Sequence, residues 1–182
     1  MADRYTQIVI LCEDDNQMNF VRKYLMRRKV DRRRIRINKA PSGRGAGSHY
    51  VIENYPAEVK ALRSRAYLRA GLLAVVDADT VPVEERLRQF ETSLAQSGQD
   101  RRNDTERVGL LIPKRNVETW VFHLLGNDVN EEDDYKKRVT SSNLKEAVDT
   151  FADACPAKEA DIRVPSLQRA CNELTTFLGR GT

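Results

Sequence analysis

Hydrophobic and polar positions follow two periods along the chain, and each switch between them marks an element. Tyr5-Thr6-Gln7-Ile8-Val9-Ile10-Leu11-Cys12 is short, β-branched and closed by Glu13-Asp14-Asp15-Asn16, which predicts a buried strand ending in a turn. With Asp15 or Asn16 as N-cap, Met18, Val21, Tyr24 and Leu25 recur three and four residues apart, while Arg22, Lys23, Arg27 and Arg28 fill much of the other face. That is an amphipathic helix, charged outside. Arg34-Ile35-Arg36-Ile37-Asn38 alternates with period two and carries cations at alternate positions, as a short edge strand does. A loop from Ala40 to Gly47 leads into a mostly helical stretch over 48–70, in which Pro56 has to sit at a helix start or a kink.

Gly71-Leu72-Leu73-Ala74-Val75-Val76 is wholly apolar and stops at Asp77-Ala78-Asp79-Thr80, the pattern of a central parallel strand buried on both faces. Pro82, Glu84, Glu85, Leu87, Phe90 and Leu94 mark a helix that Ser97-Gly98-Gln99 ends, and residues 107–112 form a fourth strand closed by Pro113. Such alternation predicts an α/β fold: a parallel, Rossmann-like sheet of about four strands flanked by helices, with right-handed crossovers. Past a helix over 117–125 comes an acidic loop through Glu131, Glu132, Asp133 and Asp134, then helical patterns at about 142–154 and 166–178 around Pro156. The chain divides into an α/β domain over 1–126 and a helical extension over 127–182 packed on that same domain.

Composition narrows the classes. The 182 residues suffice for one domain, 40% are hydrophobic and 32% charged, so a core forms under an ionic surface and overall disorder is excluded. Neither a transmembrane helix nor a secretory signal fits the apolar runs. Three cysteines without a Cys-x-x-Cys pair and two distant histidines argue against a disulfide framework and a structural zinc site, leaving a reducing cytoplasm as the expected compartment.

Ligands of open α/β sheets bind outside the carboxyl ends of the strands. Here one strand ends in Glu13 and another in Asp77 and Asp79. If the strands are neighbours, the three carboxylates converge, and a hard divalent cation such as Mg²⁺ or Mn²⁺ relieves their repulsion. A polar turn with a helix N-cap is the plainer meaning of Asp77-Ala78-Asp79-Thr80.

Ile8-Val9-Ile10-Leu11-Cys12-Glu13 followed by a helix, then Leu73-Ala74-Val75-Val76-Asp77-Ala78-Asp79, resembles the TOPRIM fold, with its Glu after the first strand and Asp-x-Asp after a later one. The resemblance reaches from Ile8 to about Leu125. It implies that Glu13 is a metal ligand or general base and that Asp77 and Asp79 are metal ligands near a phosphodiester. Two positions depart from the family: Asp14 replaces a frequent Gly, and Gln17 stands where nuclease-type members carry a further acid. The segment Ile112-Pro113-Lys114-Arg115-Asn116-Val117-Glu118-Thr119-Trp120 is similar to the one that completes the site in small TOPRIM proteins related to OLD nucleases. There Glu118 is a second metal ligand or only a favourable charge at a helix N-terminus, Lys114 steadies transition-state charge, and Trp120 is a core anchor.

Arg22, Lys23, Arg27, Arg28, Lys29, Arg32, Arg33, Arg34 and Arg36 form the densest basic run, with only Asp31 among them. It is either a solvated helix face or a phosphate-binding surface, carried by Arg27, Arg28, Arg32 and Arg33. The Gly43-Arg44-Gly45-Ala46-Gly47-Ser48 loop is flexible or cradles a phosphate, with Arg44 as a nucleic-acid contact. Expected is therefore a Mg²⁺- or Mn²⁺-dependent nuclease on DNA, RNA being the other polymer. A Walker motif is lacking, so an ATPase would be a separate chain of a two-component, antiviral defence system; homo-oligomerisation stays open. The alternatives are a receiver-like domain accepting phosphate on an aspartate, with Glu13, Asp14, Asp77 and Lys114, and a non-catalytic nucleic-acid-binding subunit.

Overall fold

The computed structural model describes residues 5–43 and 46–180, and within them the period switches become four strands and six α-helices. In chain order these are β1 (Gln7–Cys12), α1 (Asp15–Arg27), β2 (Ile35–Lys39), α2 (Gly47–Ser64), β3 (Ala70–Val75), α3 (Val83–Gln96), β4 (Val108–Leu111), α4 (Val117–Leu124), α5 (Ser141–Ala154) and α6 (Pro165–Arg180). The sheet is wholly parallel in the order β2-β1-β3-β4. The α/β class, the strand count and the edge position of β2 are as the patterns predict. Leu11 pairs with Ala74 in register, so the chain leaves β1 and β3 side by side and Glu13 follows next to Asp77.

Alternation along the strands feeds two cores. Ile8, Ile10, Cys12, Leu73, Val75 and Leu111 face α1, α4, α5 and α6, whereas Val9, Leu11, Leu72, Ala74 and Leu110 face α2 and α3. The first core is the aromatic one: Phe20 lies 5.6 Å from the Trp120 ring and 5.5 Å from that of Phe151. Trp120 is fully buried, as expected of an anchor, and its indole N–H donates to Ser166 Oγ at 2.8 Å. Each such aromatic, fully buried, stabilises the fold by roughly 1.5–3 kcal/mol.

The helical extension completes this core. Leu144, Val148 and Phe151 of α5 and Leu167, Leu174 and Phe177 of α6 are buried in it. Phe177 stacks on Tyr5 with ring centroids 4.9 Å apart, and a Cβ at Gly71 would stand 2.6 Å from the Phe177 ring, so β3 needs glycine there. Along the outer edge of β4, Glu173 of α6 accepts the Leu110 N–H at 3.1 Å and a bond from Arg102 Nη1 at 2.8 Å.

Three local expectations change. The N-cap of α1 is Asp14, one residue earlier than the pattern suggests, because its Oδ1 accepts the Gln17 N–H at 2.9 Å. α2 runs through Pro56, so of the two placements expected, a helix start or a kink, the start is ruled out, and the helix forgoes the bond that position 56 would donate. Cys155 and Cys171 form a disulfide: an odd count forbids complete pairing but not one pair, and α5 and α6 bring these two together. The argument from cysteine usage to a reducing compartment loses its basis. No helix among the described residues is long and apolar enough to cross a membrane.

Candidate active site at the carboxyl edge of the sheet

The adjacent ends of β1 and β3 are tied by three hydrogen bonds. Glu13 Oε1 accepts the Asp77 N–H, the Glu13 N–H donates to Gln17 Oε1, and Gln17 Nε2 donates to Asp77 Oδ1, each at 2.9 Å. Gln17 is fully buried, and since its oxygen faces an N–H, its amide nitrogen has to face Asp77. An acid at this position would turn a carboxylate on Asp77; the glutamine supplies a donor instead. Opposite, the first turn of α2 approaches so closely that a Cβ at Gly47 would lie 2.7 Å from Glu13 Cβ.

These residues open onto a cleft of about 360 Å³ lined by Glu13, Ala46, Gly47, Ser48, Asp77, Asp79, Arg86, Arg115, Asn116, Asp134 and Lys136. Burial raises the Glu13 carboxyl to about 7. Burial, then the charge of Glu13, holds Asp77 well above the usual carboxylate range. Three cations answer the acids. Arg86 Nε donates to the Asp77 carbonyl at 3.1 Å, Arg115 pairs with Asp79, and Lys136 Nζ stands 3.8 Å from Asp14 Oδ2. Although burial opposes it, the ammonium of Lys136 is held charged above its usual range by Asp14, Asp77, Glu118 and Glu13.

No family model, no curated protein and no solved structure matches the chain. The site's own geometry therefore carries the functional reading.

Glu13, Asp77 and Asp79 line one cleft but do not close around one point. Asp79 sits in the left-handed region, φ 58°, where a short polar side chain is tolerated, and its carboxylate turns to Arg115. Lys114 does not line the cleft; its Nζ reaches Glu132 at 3.9 Å, and the adjacent Arg115 enters in its place. Glu118, in the first turn of α4, is fully buried. Its Oε1 accepts from Asn16 Nδ2 at 2.7 Å, while its buried Oε2 has no hydrogen-bond partner among the described residues, and burial raises its pKa.

Lys136, Arg86 and Asn116 escape sequence reading. Lys136 belongs to the tail read as an extension, and its placement depends on a bond between distant positions. Asn116 Nδ2 donates to Asp134 Oδ1 at 2.8 Å, and that same oxygen accepts the Lys136 N–H at 2.8 Å. The N-cap of α4 thus anchors the segment that delivers the lysine. The only sequence signal was the cationic triplet Lys136-Lys137-Arg138 behind the acidic loop.

The basic run serves a different end of the molecule. β2 lies parallel to β1, so Arg32 and Arg33, just before it, sit at the amino edge of the sheet, away from the cleft. Arg27 Nε pairs with Asp149 at 3.0 Å, and Arg28 donates to the Ala152 carbonyl at 2.9 Å and lies over the Tyr24 ring. Both clamp α1 to α5. Arg44 lies outside the described residues.

The residues fit a hard divalent cation in part. Among the described residues, no group of three or more His, Cys, Asp or Glu side chains forms a metal cage. Glu13 Oε2 and Asp77 Oδ2, which take no hydrogen bond from the described residues, would hold the ion with water completing its shell, the way Mg²⁺ is usually bound.

Proposed function

We propose that the cleft cleaves phosphodiesters of DNA with the help of Mg²⁺ or Mn²⁺ held by Glu13 and Asp77. The observation that carries this reading is the juxtaposition of two carboxyls that burial holds above their usual range, Glu13 and Asp77, with Arg86, Arg115 and Lys136 in one open cleft. Acids alone would suit a cation and cations alone an anion; both together suit a cation bound to a phosphate. When bound, the ion would polarise the phosphoryl oxygen and acidify an attacking water. Arg86, Arg115 and Lys136 bind the phosphate oxygens and answer the charge that develops on them. Gln17 holds Asp77 Oδ1 and the Asp77 N–H holds Glu13 Oε1, which leaves the second oxygen of each carboxyl for the ion. Without a divalent ion Glu13, raised to about 7 by burial, exchanges its proton near neutrality. An ATPase, if the reaction uses one, would be a separate chain, since these residues carry no Walker motif.

Mn²⁺ titration by calorimetry in buffers of different ionisation enthalpy tests this directly. Binding should release protons, weaken strongly in Asp77→Asn, and accompany cleavage of plasmid or oligonucleotide DNA. Heat that is absent, or unchanged by Asp77→Asn, would refute the metal site.

The strand order favours one second reading. β2-β1-β3-β4, with acids after β1 and an aspartate after β3, is also the arrangement of the flavodoxin-like, receiver-type sheet. That reading predicts a labile adduct on Asp77 after treatment with acetyl phosphate, visible by mass spectrometry. Asp77 is only 8% exposed, and Lys114 is turned to Glu132, which makes this the weaker alternative.

A further inference from the structure

Away from the cleft, α1 and α5 enclose a groove of about 430 Å³. Arg22, Met26, Arg27 and Arg32 line one side, Lys145 and Asp149 the other. Met26 lies in the last turn of α1, roughly 16 Å along the helix axis from Asp15 at the cleft end. It is 43% exposed, and with Tyr67 it forms the pair of large hydrophobic side chains exposed among the described residues. Around it the surface is cationic. Lys23 and Arg32 have no ion pair or side-chain hydrogen bond among the described residues. Asp149 already supplies the groove with one carboxylate, which takes Arg27 Nε at 3.0 Å and Lys145 Nζ at 3.2 Å.

An apolar centre with a cationic rim selects between polyanions. A phosphodiester backbone presents its charge evenly and offers nothing to Met26. An acidic amphipathic segment places an apolar side chain on the adaptable thioether and its own carboxylates against Arg22, Lys23 and Arg32. We propose that the α1–α5 groove docks an acidic, amphipathic segment of a partner protein, anchored by an apolar residue on Met26. The surface is separate from the cleft and does not depend on the chemistry proposed there.

Fluorescence anisotropy on the full chain tests it with three labelled probes of equal length: a Glu/Asp peptide with a central Leu pair, an all-Glu peptide and a single-stranded oligonucleotide. The Leu-bearing peptide should bind at least about tenfold more tightly than the all-Glu peptide, a hydrophobic anchor being worth that much. Met26→Ala should erase that advantage, Lys23→Glu with Arg32→Glu should abolish binding of both peptides, and Asp77→Asn should change neither. Thermal melts check that the fold persists in every variant, the buried Asp77→Asn as well as those at the exposed or half-exposed Met26, Lys23 and Arg32. Equal binding of the two peptides, or indifference to Met26→Ala, would overturn the proposal. Preference for the oligonucleotide with loss in the charge-reversal variant would make the groove a nucleic-acid surface instead and would equally overturn it.

Discussion

Glu13 Oε1 accepts the backbone N–H of Asp77 at 2.9 Å, so the acid that ends β1 fixes the turn that ends β3. The contact turns two separate strand ends into one site, at the cost of holding two carboxyls together in a partly dry place.

That cost predicts a pH dependence. The Glu13 carboxyl lies at about 7 in the fold, above its ordinary 4.5, and Asp77 is raised as well, so between these values the folded chain binds more protons than the unfolded one. Stability therefore falls as pH rises from about 4.5 through about 7, and is least penalised below that window. Melting curves from pH 5 to 8 in EDTA should show the decline. Glu13→Gln should flatten it, and Mg²⁺ should offset it.

Gln17 is the hinge of the same arrangement. Gln17→Ala leaves the Glu13 N–H and Asp77 Oδ1 without buried partners and should cost about 2–4 kcal/mol in urea unfolding. Gln17→Glu preserves shape but adds a charge beside Asp77. It should lower stability mostly above neutral pH, which separates electrostatics from packing.

Lys136 is expected to matter for chemistry more than for folding. Lys136→Met should slow DNA cleavage by about a hundredfold or more while changing stability by less than about 1 kcal/mol. Because the lysine's charge lowers the Glu13 pKa, the acid limb of the cleavage pH profile should move to higher pH. Lys114→Met should leave the rate near wild type, since Lys114 is turned to Glu132.

Glu118→Gln should keep the fold, because the retained oxygen still accepts from Asn16 and the neutral amide removes a buried acid with an unpartnered oxygen. Unfolding above pH 7 should show unchanged or higher stability, and Mn²⁺ stoichiometry should stay the same. Loss of one bound ion per chain would instead make Glu118 a second ligand.

The basic run should split in two. Arg27→Gln with Arg28→Gln loosens α1 from α5 and should destabilise by about 1–2 kcal/mol. Arg32→Gln with Arg33→Gln should leave stability within about 0.5 kcal/mol and be felt only in binding. Denaturation of the two pairs side by side checks this.

Where the sequence was readable, chemistry and periodicity coincided. The apolar runs to Cys12 and Val76 could only be inner strands, so the acids behind them had to share an edge. Lys136 was illegible because its position rests on the bond between Asn116 and Asp134, made across the turn from α4 and invisible to a local window. Asp79 matched the expected spacing, but its positive φ, a property of the turn, sends its carboxylate to Arg115. The basic run looked uniform because composition does not tell which cations α5 captures. The pairing of Cys155 with Cys171 likewise follows from helix packing alone.

Glu173 has a consequence beyond its bond to Leu110. A short outer strand with free N–H groups is a template on which another chain can add itself, and occupied N–H groups remove the template. With a carboxylate seated there and buttressed by Arg102, β4 resists growth into a fifth strand or a continuous sheet between copies. Glu173→Ala should therefore reveal itself less in activity than in concentration-dependent, thioflavin-positive self-association.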